Sequence, residues 1–220
     1  MLRKKFTQCG RLTEMVVERP AEVSDLTSPQ RILERAIQVI EEAGETAIRT
    51  NPIAFECGVT PPILYRAFGS REGLIIAAQA ERYRRSTAQA AKYLCDSIAS
   101  ATSRESLVAN VGEILDLIFS PTRAENRRLR VEVIGSSVSR PELRQLIAEI
   151  DKEYAVTIAL AYQPAVDQGW MPTGKNFEAV ALWAQGLVNT RYMFDETASA
   201  EDSASWNQLT RQAIMTAIFD

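Results

Sequence analysis

The chain has 220 residues, of which 46% are hydrophobic and 24% charged, with ten Gly, nine Pro and a net charge of −3. That composition excludes collagen-like, mucin-like and fully disordered chains, and no run approaches the roughly 18 apolar residues of a membrane-spanning helix. Histidine is absent, which removes the commonest general base and transition-metal ligand, so neither enzymatic activity nor a metal or cofactor is expected.

Residues 1–27 mix charge and isolated apolar residues without a period, and read as an N-terminal arm in which Leu12–Val17 can form a turn or two of helix. From there the pattern is helical throughout, and the expected class is all-α. Ser28 before Pro29 marks the first start, an N-cap followed by proline at the first helical position. Thr102 with Glu105, Thr122 with Glu125, and Ser139 with Glu142 have the spacing of capping boxes. The spacing predicts helices over 29–43, 51–57, 61–67, 71–98, 103–119, 122–137, 140–166, 174–195 and 203–218. A linker falls at Gln168–Gly174. Two helical domains are expected, over 28–75 and 76–220.

The segment 28–74 carries the chemistry. Ile32, Leu33, Ala36, Ile37, Val39 and Ile40 mark one apolar face of the first helix, and Gly44 ends it. Two helices of about two turns follow, too short to repay nucleation alone, so Ile53, Ala54, Cys57, Ile63, Leu64 and Phe68 must pack on their neighbours. Gly58 makes the turn between them. A short helix, a glycine turn and a second short helix form the helix-turn-helix pattern, whose second helix can place its N-terminal residues in the major groove. Its outer face carries Thr60, Pro61, Pro62, Tyr65 and Arg66. The two prolines suit the first turn and offer flat apolar surface to a thymine methyl. Ser70 caps the fourth helix, where Arg71 and the helix N-terminus form an anion site.

These residues resemble a known family. Arg31-Ile32-Leu33 through Gly44, Gly58-Val59-Thr60, Leu64-Tyr65-Arg66, Phe68 and Gly69-Ser70-Arg71-Glu72-Gly73-Leu74 look like the TetR (tetracycline-repressor-like) family of transcriptional regulators, with Gly58 to Leu74 the specific part. The resemblance implies an all-α homodimer that binds double-stranded DNA through its N-terminal domain and a small effector through its body. Carried over, the DNA contacts fall on Thr60, Pro61, Pro62, Tyr65 and Arg71, with Arg66 beside them. Two positions depart from the family pattern. Thr50-Asn51-Pro52 stands where a basic start to the second helix is usual, leaving Asn51 as a cap and Arg49 as the nearest basic replacement. Ala67 stands where an aromatic residue or His is common.

The body carries no catalytic motif. Arg82, Arg84 and Arg85 read as a solvated face, and Arg123, Arg127, Arg128 and Arg130 as a surface ion-pair face with Glu125 and Glu132, the alternative being a face turned to the N-terminal domain or to an acidic ligand. The eighth and ninth helices are apolar nearly all round, which calls for cover on every side. A four-helix seam between two subunits is the expected arrangement, on Val180, Ala184, Gly186, Leu187, Ala213 and Ala217. An intrachain pair is the alternative. The resemblance also implies a ligand pocket. Its candidate lining is Ile114, Leu117, Ile118, Ile134, Tyr154, Ile158, Tyr162 and Trp183, a stripe that also suits a plain core. Such a lining favours an apolar or aromatic effector.

The expected function is a dimeric regulator, a repressor released from a palindromic operator by that effector. Two rivals remain: a small helical enzyme, whose only carboxylate pairs (Glu41-Glu42, Asp195-Glu196, Glu201-Asp202) are adjacent and near helix ends, and a ligand-binding protein of the same fold whose DNA binding is weak or lost.

Overall fold

The computed structural model describes residues 27–220, so the expected arm, all but Thr27, lies outside the described residues. Among those, nine α-helices and no strand are present: α1 (Ser28–Ala43), α2 (Thr50–Glu56), α3 (Pro61–Phe68), α4 (Arg71–Ala99), α5 (Arg104–Phe119), α6 (Ala124–Ser137), α7 (Pro141–Asp167), α8 (Phe177–Asp195) and α9 (Ala200–Phe219). Single 3₁₀ turns at Glu45–Ala47 and Pro121–Arg123 precede α2 and α6. The all-α class read from the sequence holds.

The helix starts at Pro61 and Arg71 fall where expected, and the others differ by one to three residues. Thr27, not Ser28, is the N-cap of α1, and its backbone N–H donates to Gln30 Oε1 at 2.8 Å. Ser103, not Thr102, caps α5, accepting from Ser106 N at 3.2 Å. Thr122 lies in the 3₁₀ turn before α6, and Ser139 stands two residues before the start of α7. Asn176 and Ser199 cap α8 and α9, accepting from Ala179 N and Asp202 N at 3.0 Å each.

The described residues divide into two compact units, 27–84 with 133–147, and 85–132 with 148–220. In the first, Ile32, Ala36, Ile37 and Ile40 of α1 are buried with Ile48, Ile53, Ala54, Leu64, Leu74, Ile75 and Ala78. Arg82 is buried here rather than solvated. It faces Glu41 at 3.7 Å and donates to Gln79 Oε1 at 2.8 Å. Arg84 pairs with Glu81 at 2.6 Å, and Arg85 is exposed. At the start of α7, Arg140 faces Glu45 at 3.0 Å and also pairs with Glu72.

Glu45 is the hub of this unit's polar contacts. Burial pushes its carboxyl up, but hydrogen bonds from Ser136 and Gln79 and the charge of Arg140 outweigh burial and hold it below the ordinary Glu value of 4.5. A carboxyl whose pKa is lowered by folding contributes stability that is full above its unfolded value and is lost as pH falls through the folded one. Acid titration of the melting temperature should therefore show a loss beginning below about pH 4.5, and Glu45→Gln should flatten that limb. An unchanged acid limb in the variant would place the lowered carboxyl elsewhere.

The second unit is built on Ala91, Cys95, Leu107, Val111, Leu115, Phe119, Ala155, Ile158, Tyr162, Phe177, Ala181, Ile214 and Ile218. Here the arginines of α6 depart from the sequence expectation. Arg128 does form the surface ladder, pairing with Glu125 at 2.5 Å and with Glu132. Arg127 and Arg130 are buried instead, 1% and 3% exposed. Arg127 Nε and Nη2 donate to the two carboxylate oxygens of Asp195 at 2.7 and 2.6 Å, and Nη1 and Nη2 donate to the carbonyls of Ile118 and Ser120 at 2.6 and 3.0 Å. Arg191 donates to Asp195 at 3.1 Å and to Asn207 Oδ1 at 2.8 Å. Arg130 donates to Asn189 and Thr87, each at 2.9 Å. Such a pair stabilises only while both charges are present. Asp195→Ala strands a buried guanidinium and should cost about 3–5 kcal/mol of unfolding free energy, measured by urea titration. Glu132→Ala, on the exposed ladder, should cost under about 1 kcal/mol.

Candidate DNA-reading surface and ligand cavity

Between α2 and α3 the chain turns at Gly58, whose φ of 66° is the left-handed conformation that glycine adopts without strain. Gly58 N–H donates to Phe55 O and Val59 N–H to Ala54 O, both at 3.0 Å. Thr60 stands at the N-cap of α3, with Pro61 and Pro62 in the next two positions. Those prolines have no N–H, and the Thr60 hydroxyl makes no capping hydrogen bond. It is therefore left at the surface beside them.

Thr60, Pro62, Tyr65 and Arg66 are exposed, and Pro61 is half-buried. Leu64, on the opposite face, is completely buried. Tyr65 is 44% exposed, and its hydroxyl shares a hydrogen bond of 3.0 Å with the Thr50 hydroxyl, so the first turn of α2 and the middle of α3 form one surface. Asn51 is exposed on that surface but does not cap α2. The N-cap is Arg49, and Asn51 lies inside the first turn.

The two other basic candidates are held by the backbone. Arg49 Nη1 donates to the carbonyls of Thr46 and Ile48, at 2.5 and 3.0 Å. Arg71 Nε donates to Ile48 O at 2.9 Å and Nη2 to Glu45 O at 3.0 Å. The anion site expected at Arg71 is thus first a clamp on the loop leading into α2. The Ser70 hydroxyl accepts from Gly73 N at 2.9 Å and caps α4. Gly73 is required there, because a Cβ would strike the carbonyl of Phe68.

The second unit holds a cavity of about 100 Å³. Six of the residues expected to line it do so: Ile114, Leu117, Ile118, Tyr154, Ile158 and Tyr162. Ile134 and Trp183 do not. Ile134 falls in the segment 133–147 of the first unit, and Trp183 is 44% exposed on the outer side of α8. Val180 and Ala184, expected in a subunit seam, line the cavity instead. The exposed stripe of α8 is Leu182, Trp183, Gly186, Thr190 and Met193, while Leu187 is half-buried against the core. On α9, Ala213 and Ala217 are half-buried and Leu209 is exposed. One residue is about 100° of rotation on a helix, and a helix apolar on both sides does not announce which side faces inward.

The cavity wall also carries Arg127 and Arg130, from the cluster whose alternative reading is a ligand-facing one, and polar groups that sequence spacing did not indicate: Ser86, Asn126 and Gln185. At its rim Gln89 and Tyr93 are exposed, and the Arg123 guanidinium lies 5.0 Å from the Tyr93 ring centre. Burial pushes the Tyr154 hydroxyl up to about 12 and raises that of Tyr162 as well. Both are neutral phenols at physiological pH.

Among the described residues, no group of three or more metal-binding side chains occurs and no helix is long and apolar enough to cross a membrane. A helix-turn-helix unit and a separate helical unit holding a mainly apolar cavity make up an all-α fold. Residues 32–78 match the model for bacterial regulatory proteins of the tetR family, a segment that contains the stretch Gly58–Leu74. The fold extends the match. A proposed TetR-family transcriptional regulator from Mesorhizobium loti is 14% identical, with 88% of this chain and 97% of that one covered at a TM-score of 0.64. A second such protein, from Rhodococcus sp., is 22% identical, with 87% and 98% covered at 0.59. The transcriptional regulator FadR from Bacillus subtilis, in complex with stearoyl-CoA, is 20% identical, with 86% and 98% covered at 0.52. No curated protein matches the chain.

The two kinds of arginine on the reading surface should separate in stability. Arg71→Ala removes two hydrogen bonds from a charged donor and leaves the Ile48 and Glu45 carbonyls without it. It should cost about 1–3 kcal/mol. Arg66→Ala, fully at the surface, should stay within about 0.5 kcal/mol of the parent. Equal thermal shifts for both would remove the clamp from Arg71.

Proposed function

We propose that the protein is a homodimeric, ligand-responsive transcriptional regulator that represses from a palindromic operator in the cytoplasm and is released by a small apolar or aromatic effector. It has no enzymatic role in this reading. Residues 28–75 read DNA, 76–220 hold the effector and the dimer contact, and the arm 1–27 precedes them. The observation that carries this is the exposed row Thr60, Pro62, Tyr65 and Arg66 on a short helix whose opposite face is buried, inside the segment that matches the tetR family.

Thr60 and Tyr65 supply hydroxyls for phosphates, Arg66 a surface cation, and Pro61-Pro62 an apolar edge for bases. The exposed stripe of α8, with Met193 65% and Leu182 44% exposed, is the kind of apolar surface that a second copy of the chain covers. Two heads on a two-fold axis meet one face of B-DNA when their reading helices lie about 34–36 Å apart. The fold match to FadR, whose structure holds stearoyl-CoA, supports an apolar ligand in the body. Pockets for drug-sized ligands occupy about 300–1,000 Å³, whereas this cavity has about 100 Å³. An effector of that size enters only if the helices around it part. A larger effector would thus favour a more open conformation, and release from DNA requires such a differential affinity.

One observation favours the alternative of a ligand-binding protein with weak DNA affinity: Arg49 and Arg71 both spend donors on backbone carbonyls. Selection of duplexes from a random pool decides between the two. The regulator reading expects a palindromic winner bound by wild type. Arg66→Ala should then lower the slope of log affinity against log salt by about one per head, and Gly186→Arg should sediment as a monomer and lose the palindrome. Enrichment of no sequence moves the protein to the alternative, and an intact Gly186→Arg dimer moves the interface off α8.

A further inference from the structure

The Tyr162 hydroxyl is buried, the residue being 2% exposed, and it has no hydrogen-bond partner among the described residues. Its ring lies on the cavity wall, stacked on Phe177 with 5.2 Å between ring centres, beside Ile158, Ile214 and Ile218. A buried hydroxyl left unsatisfied is costly, and native interiors avoid it unless the group has another use. Tyr154, on the same wall, is only half-buried overall.

We propose that Tyr162 is the specificity-determining residue of the cavity, and that the ligand is a small neutral molecule with one apolar ring or branched body and a single carbonyl that accepts the Tyr162 proton. This rests on the reading of the cavity as the effector site. The carbonyl follows from the chemistry of a phenol, a strong hydrogen-bond donor whose lone pairs are drawn into the ring. The ligand is neutral because the wall beside Tyr162 is apolar, formed by Ile158, Phe177, Ile214 and Ile218. A carboxylate there would lose its water and gain one phenol donor but no charge. The size follows from the volume. About 100 Å³ is of the order of the roughly 150 Å³ engineered apolar cavity that takes benzene, so a single substituted ring suits the conformation described, and larger effectors of the same chemistry must open it.

The probes are three molecules of nearly one shape: acetophenone, isopropylbenzene and benzoate, each titrated by calorimetry into the full-length wild type and into Tyr162→Phe. Wild type should bind acetophenone about tenfold or more tightly than isopropylbenzene, with benzoate the weakest. Tyr162→Phe should bring the ketone and the hydrocarbon to within about twofold of each other. The variant without ligand should melt no lower than wild type, because the phenol gains nothing there. A drop of several degrees would mean that the hydroxyl is bonded in the free protein, and would overturn the proposal. Equal binding of ketone and hydrocarbon by wild type, or a ketone preference that survives in Tyr162→Phe, overturns the role of Tyr162 and leaves the cavity as an effector site. Tightest binding of benzoate overturns the neutral class alone. Binding of no probe to either protein overturns both this inference and the effector-site reading beneath it.

Discussion

The second unit depends on one buried guanidinium. Arg127 uses Nε, Nη1 and Nη2 on Asp195 and on the carbonyls of Ile118 and Ser120. It thereby ties α6 to the end of α5, the loop after it and the last residue of α8. Those carbonyls belong to the end of a helix, where the last C=O groups have no partner within the helix. Arg127 thus adds donors to carbonyls at that helix end, of which Ser120 O also accepts from Arg123 N at 3.1 Å, and Asp195 balances the charge this introduces. Arg191 adds a second cation to the same carboxylate and a hydrogen bond to Asn207 on α9. Removal of water from this cluster is what makes it strong and what makes each member indispensable.

The same device recurs in the first unit. Arg49 and Arg71 both donate to carbonyls of the segment between α1 and α2. Helix α3 itself has few internal ties. Its first two residues are prolines, its N-cap hydroxyl makes no capping bond, and it is held by Leu64 below and by Tyr65 against Thr50. Polar groups freed from structural duty, Thr60 and Arg66, are therefore the ones available to another molecule, whereas Arg49 and Arg71 act first on the fold.

Cavity and core in the second unit are one construction. Ile158, Tyr162, Phe177, Ala181, Ile214 and Ile218 belong to the buried cluster and also line the cavity. A ligand larger than the cavity would replace packing contacts among α4, α5, α7, α8 and α9 rather than fill a separate cleft. Interiors pack nearly as densely as crystals, so such a replacement displaces helices by discrete amounts.

Local order in the chain is legible in the sequence. The spacing of Ile32, Ala36, Ile37 and Ile40, the glycine turn at Gly58 and the prolines of Pro61-Pro62 specify helices and a turn through contacts within a few residues. That is why the all-α class and the helix-turn-helix can be read from the residues alone. Six of the eight cavity candidates are legible for the same reason, since one apolar stripe per helix faces the core. What only the tertiary structure decided lies between distant residues. Arg127 meets Asp195 across 68 positions and Tyr65 meets Thr50 across 15, and no local pattern distinguishes the buried Arg127 from its exposed neighbour Arg128. On α8 the sequence is apolar on both sides, so the assignment of Val180 and Ala184 to the cavity and of Trp183 to the outer face came from packing alone. Periodicity reports how a helix is divided into faces, but which face is buried depends on what the rest of the chain brings against it.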